Sequence, residues 1–169
     1  MALADRIVVM HEGTIRQIGT PDEVYNHPAD DFVAGFVGEP PMNFIEGEVL
    51  RQDGKRTFQA KGQSFVLPEV WQPAGDKLPE KVMLGIRPFY IDASLDPSGG
   101  YDFEGEVFLS ENLQDQCILS VDIEDLRLQV VTTPSFQPAR HERIYLKFTP
   151  EYIRFFDLQT GKALRPDSG

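Results

Sequence analysis

Beyond Asn43 the chain alternates apolar and polar residues with the period of a half-buried strand. Residues 116–123 place Cys117, Leu119, Val121 and Ile123 on one face. Glu124 and Asp125 supply turn chemistry, and Leu126, Leu128 and Val130 return on the same side. Ile144, Leu146 and Phe148 repeat the pattern. Short alternating strands with Gly and Pro between them predict a mainly β domain over residues 41–169, a sandwich or small barrel.

Residues 1–40 have another texture. Arg6–Met10 is a continuous apolar run, which reads as a strand buried on both faces. Glu12 and Gly13 form a turn, and Thr14–Ile18 returns. Thr20, Pro21 and Glu23 mark a helix start: Thr20 caps, Pro21 suits the first turn, and Glu23 completes a capping box. Pro28 ends that helix. Asp30 or Asp31 opens a second short helix that presents Phe32, Val33, Phe36 and Val37, and Gly38 stops it. A β-hairpin and two short α-helices make too small a core to stand alone. This segment therefore reads as the end of another domain, followed by a linker at Pro40 and Pro41.

The β part repeats itself. Glu46, Gly47, Glu48 and Val49 recur as Glu104, Gly105, Glu106 and Val107, an offset of 58. Leu84, Pro88, Tyr90 and Ile91 recur as Leu146, Pro150, Tyr152 and Ile153, an offset of 62. In both halves Pro follows an alternating strand, so the strand ends there and re-enters a sheet at a corner. Two such halves can close a barrel and remove their own edges.

Charge narrows the function. The net charge is -11, with two arginines against seven acids in residues 1–40 and fourteen bases against twenty acids beyond. That balance repels phosphate backbones and argues against nucleic acid as a partner. The single cysteine, Cys117, excludes an intrachain disulfide and reads as a small core residue. No apolar run approaches the roughly 20 residues of a membrane-spanning helix.

The string Leu3, Ala4, Asp5, Arg6, Ile7 continues through Gly13, Ile15, Gln17, Gly19, Thr20, Pro21, Glu23 and Tyr25. Then come Pro28, Phe32, Val33, Phe36, Val37, Gly38, Met42 and Asn43. Over these residues the chain resembles ATP-binding subunits of ABC importers of the maltose/sugar (MalK-like) type. Leu84–Pro88 and the Phe148 to Gly161 stretch look like that family's regulatory β domain, the OB-like TOBE barrel. The resemblance implies that residues 1–40 close a nucleotide-binding domain and that residues 41–169 are the regulatory domain. It implies a parent that binds ATP and Mg, forms a homodimer, drives transmembrane permease subunits, and sits in the cytoplasm against the inner face of the membrane. No phosphate-binding Gly-x-x-x-x-Gly-Lys-Ser/Thr occurs, and Ser98–Gly100 lacks the flanks of a signature loop. The family's switch histidine lies just before the matching string. The chain itself is therefore expected to be non-catalytic and to hold no cofactor or metal.

His11, His27 and His141 lack second ligands at metal spacing and read as surface residues. Asp30 and Asp31 suit a helix start, and Glu124 and Asp125 a turn. Arg87, before the corner Pro88, is either a structural partner of a nearby acid or a contact to a partner or regulatory ligand. Glu111, Asn112, Asp115 and Gln116 form a polar loop between strands, a usual place for binding in barrels. Many family members have Gly where Gln114 stands. Three functions follow: a regulatory and dimerisation domain responding to a signalling protein or small ligand; a free-standing oxyanion-binding TOBE protein; and an OB-fold nucleic-acid binder, which the charge opposes. Ile7, Val8, Val9, Phe32 and Phe36 are expected either to drive self-association or to fold back on the β domain.

Overall fold

The computed structural model describes residues 5–72 and 78–166; residues 1–4, which open the family-like string, lie outside it. Strands β1 (Ile7–His11) and β2 (Thr14–Gly19) form an antiparallel ribbon. Glu12 and Gly13 both have positive φ, the two-residue turn that matches the twist of a hairpin. Helix α1 (Pro21–Asn26) starts on a complete capping box between Thr20 and Glu23. Helix α2 (Asp31–Phe36) is capped by Asp30, which accepts from the Val33 N–H and also receives Arg16 at 2.6 Å. Val9, Val24 and Val33 bury between them, flanked by Ile7, Phe32 and Val37.

The first strand departs from expectation. It is covered on one face only: Val9 is buried, while Val8 and Met10 are about half exposed. Val8 pairs with Ile18 and Met10 with Ile15, so four exposed apolar side chains share the ribbon's outer face. A two-stranded ribbon has a single layer behind it, and α1 and α2 supply that layer here.

The β domain is built from two curled sheets. One contains β3 (Asn43–Gln52), β4 (Lys55–Ala60), β5 (Gln63–Val66), β6 (Lys81–Ile86), β12 (Arg154–Asp157) and the two-residue β13 (Ala163–Leu164) in the order β13-β12-β6-β3-β4-β5. The other contains β7 (Ile91–Ser94), β8 (Phe103–Asn112), β9 (Cys117–Ile123), β10 (Leu126–Thr132) and β11 (Arg143–Phe148) in the order β10-β9-β8-β11-β7. The fold is mainly β and OB-like, in two related halves, as the repeat predicts. The predicted inward faces of β9, β10 and β11 are those that bury, and Cys117 is among them.

The Pro corners do more than turn the chain. Pro88 and Pro150 each open a one-turn 3-10 helix, Pro88–Tyr90 and Pro150–Tyr152. After each, the chain leaves its own sheet for the other. β7 follows the first half but pairs with β11, and β12 follows the second half but pairs with β6. The halves thus exchange their last strands. At the exchange the equivalent Tyr90 and Tyr152 stack at 3.5 Å and 7°.

Side-chain amides fasten the seams between the sheets. Asn43 donates to the Gln129 carbonyl and accepts from its N–H, both at 2.8 Å, as a neighbouring strand would. Gln63 does the same to Glu104, at 2.9 and 2.7 Å. These contacts cover rungs of otherwise open edges. The repeated Glu-Gly-Glu also acquires a reason. A Cβ on Gly105 would lie 2.6 Å from the Asp122 carbonyl oxygen, and one on Gly47 would lie 2.6 Å from that of Gln59. The adjacent strand crosses too close for any side chain.

Candidate functional site

The segment 5–38 docks on the β domain through its carbonyl groups. Arg87 is 1% exposed, at the end of β6. Its Nε and Nη2 donate to the Tyr25 carbonyl at 2.9 and 2.7 Å, and its Nη1 donates to Val37 at 2.6 Å and Ala34 at 3.3 Å. The guanidinium also lies 3.8 Å from the centroid of the Tyr25 ring. Arg154, from the other half, donates from Nε to the Asn26 carbonyl at 2.8 Å. The Tyr90 hydroxyl reaches the Asn26 side chain at 3.2 Å. Two arginines therefore hold consecutive carbonyls at the C-terminal end of α1, where the helix leaves acceptors unpaired and carries partial negative charge. Burial pushes both guanidinium values below their ordinary one, yet an arginine remains charged. Main-chain bonds from Asp31 to Gly161 and from Ala163 to Ala29 close the far side of the joint.

Among the described residues Arg87 has no acid partner; it is bound to carbonyls of α1 and of the α2 end. The polar loop is also shorter than the sequence suggests. Glu111 and Asn112 belong to β8, paired with Ile118 and Cys117, and the loop proper runs from Leu113 to Gln116, closed by the Leu113 N–H on the Gln116 carbonyl at 2.8 Å. The candidate residues therefore separate. Arg87 lies inside the joint, Glu111 and Asn112 extend the hairpin, and Asp115 and Gln116 line a groove.

That groove is open, with a volume of about 510 Å³. Phe89, Ile91, Ala93, Val131 and Phe136 give its apolar lining, and Asp92, Asp115, Gln116, Thr132 and Thr133 its polar one. Phe89 is 47% exposed. A second groove, about 740 Å³, occupies the matching place in the other half. Glu151, Ile153 and Arg154 stand there as Phe89, Ile91 and Asp92 stand in the first, each 62 residues on. The turn at Trp71, whose N–H donates to Pro68, matches the turn at Phe136, whose N–H donates to Thr133. The second groove has the chain's own Gln17, Glu23, His27 and Pro28 for a wall.

The remaining candidates have structural partners. His11 packs on Phe32 with ring centroids 4.0 Å apart and planes tilted by 33°, and His141 contacts Glu106. Asp125 meets Lys61 at 2.6 Å, which draws its carboxyl below the ordinary range. A cleft of about 350 Å³ sets Glu104, Glu106, Asp122 and Glu124 against Arg143 and His141, an excess of acids that disfavours an oxyanion. Among the described residues no group of His, Cys, Asp and Glu is arranged to hold a metal, and no helix is long and apolar enough to cross a membrane.

The joint and grooves belong to a chain with clear relatives. Residues 38–88 match the MalK OB fold domain. The chain is 33% identical to the uncharacterised ABC transporter ATP-binding protein YurJ of Bacillus subtilis, over 97% of this chain and 46% of that protein. It is 37% identical to the sn-glycerol-3-phosphate import ATP-binding protein UgpC of Cereibacter sphaeroides, over 97% and 44%. It is 35% identical to the trehalose/maltose import ATP-binding protein MalK of Thermococcus litoralis, over 97% and 45%. The chain spans less than half the length of these curated relatives. The solved cytoplasmic molybdate-binding protein ModG matches with a TM-score of 0.46 at 10% identity, over 67% of this chain and 94% of its own.

Proposed function

We propose that this chain, a member of the MalK-like ATP-binding subunits of ABC importers, supplies the regulatory β domain of such a subunit together with the segment that joins it to the nucleotide-binding unit. The observation that carries the reading is the joint. Residues 5–38, which we assign to the ATPase end of such a subunit, are held by Arg87 and Arg154 from both halves of the barrel. A change in the barrel therefore acts directly on α1. The chain itself is non-catalytic and holds neither ATP nor Mg. The intact subunit would hydrolyse ATP, pair with its copy, and energise permease subunits importing a sugar or a related solute from the cytoplasmic face.

The ribbon's outer face supports the same reading. Val8, Met10, Ile15 and Ile18 are each about half exposed here, and such a patch suits packing against further protein. Two measurements test the proposal. Calorimetric titration of the chain with MgATP is expected to show no binding; saturable heat would contradict the non-catalytic reading. A UgpC subunit carrying residues 5–166 in place of its own matching region is expected to retain ATP hydrolysis. A folded chimera without hydrolysis would overturn the assignment of the joint.

A further inference from the structure

The two grooves are equivalent by the internal repeat, yet among the described residues only one is walled by the N-terminal segment. In that groove Arg154 grips the Asn26 carbonyl. In the open groove the equivalent residue is Asp92, so the polarity of the grip is reversed. A carboxylate there accepts from N–H groups and cations. Asp115, on the facing loop, adds a second carboxylate. Neither has an ion pair among the described residues. Lys147, the cross-strand neighbour of Asp92, has its ammonium on Asp102 at 3.2 Å. The groove shares its lining between these carboxylates and apolar residues, with Phe89 half exposed. Among the described residues no cation lines the groove.

We propose that the Phe89–Phe136 groove docks a basic peptide segment of a partner protein, one apolar side chain on the apolar lining and flanking lysines or arginines on Asp92 and Asp115. This rests on the regulatory reading above and gives it a class of partner. Charge complementarity selects the occupant: a chain of net charge -11 attracts a basic segment from a distance, and an acidic or phosphorylated one is repelled. The apolar lining supplies an anchor for an aliphatic or aromatic side chain.

The test is an amide-resolved magnetic resonance titration of the full chain with acetyl-Lys-Leu-Lys-amide. Acetyl-Glu-Leu-Glu-amide and tetramethylammonium chloride serve as the other arms. The basic peptide is expected to give saturable shifts at Phe89, Ala93, Gln116, Thr133 and Phe136, weakened by salt. Asp92→Asn with Asp115→Asn should weaken binding by about tenfold, since two exposed charge pairs are removed. Phe89→Ala should weaken it independently. All three side chains are partly or fully solvent-facing, so an unchanged amide spectrum without peptide checks the fold. Equal shifts from both peptides, shifts insensitive to the Asn pair, or none at all would overturn the proposal. Tetramethylammonium reproducing the shifts would overturn it in favour of a small organic cation. The chimera experiment is independent of these outcomes, so the groove can fail while the regulatory reading stands.

Discussion

Replacing Arg87 by Met removes every hydrogen bond of the guanidinium while keeping most of the stem's volume. The side chain is 1% exposed and donates to Tyr25 twice, to Val37, and at longer range to Ala34. Its loss strands two well-bonded carbonyls, Tyr25 and Val37, at about 1–3 kcal/mol each. Lost attraction to the Tyr25 ring adds a little, and relief from burying a charge subtracts a little. The balance is about 4 kcal/mol, and it falls on the joint. Amides of α1 report it best: the Val24 N–H donates to Thr20 and the His27 N–H to Glu23. Their native-state hydrogen exchange should accelerate by about a thousandfold, or reach the unprotected rate if the arm undocks completely. Barrel amides such as Leu119 and Val121 should keep their protection. Arg87→Lys should fall between, because one ammonium cannot serve carbonyls on both helices. If α1 keeps its protection in the Met variant while the barrel loses its own, Arg87 supports the barrel and the reasoning about the joint is wrong.

Gly105→Ala should lower the midpoint of thermal unfolding, because the new Cβ would press on the Asp122 carbonyl and the Val121 side chain; overpacking of this kind costs about 1–3 kcal/mol. Gly99→Ala, with open space around the new atom and no positive φ, should leave the midpoint unchanged, and equal losses at both sites would refute the close-approach argument. Glu23, Asp122, Asp125 and Asp157 all titrate below their ordinary values, held chiefly by hydrogen bonds from Thr20, Arg127, Lys61 and Thr160 respectively. The unfolded chain therefore takes up protons first as pH falls, so their stabilisation is present above the ordinary carboxylate range and is lost on passing below it. Thermal midpoints measured from neutral pH downward should decline in that acid range, and a rise there would contradict the sign.

The sequence disclosed β9, β10 and β11 with their inward faces, and the existence of two halves, because these depend on local period and on Pro and Gly. It did not disclose the exchange of last strands. The pairing of β7 with β11 and of β12 with β6 is a choice between sheets, and either choice satisfies the same alternation. Arg87 was visible as a residue of interest, but its partners were not. They lie 50 to 62 positions away and are main-chain carbonyls, which leave no mark on residue type. Glu111 and Asn112 read as loop because both are polar; β8 continues through them where its twist carries both faces into solvent. The Asn43 and Gln63 clasps have no sequence signal, since an amide side chain predicts nothing until a strand edge is known to face it. Asp115 and Gln116 came from the loop rule, and the grooves became comparable only once the offset of 62 could be laid on the fold.

The exchange also decides what the barrel can transmit. Residues 87–90 form one short turn, and neighbours in it face different ways. Arg87 and Tyr90 enter the joint with α1, while Phe89 stands in the open groove. Tyr90 stacks on Tyr152, whose own turn leads to Arg154 and so to the same helix. A body seated on Phe89 therefore touches the element that holds α1, with no intervening chain of contacts. What a ligand in the groove can do to α1 is bounded by the difference in its affinity for the docked and undocked arm. If binding there is equally tight in both, the arm does not move, however strong the binding. The comparison that matters is thus between peptide affinity in the native chain and in Arg87→Met. Equal affinities separate groove from joint, and unequal ones measure their coupling.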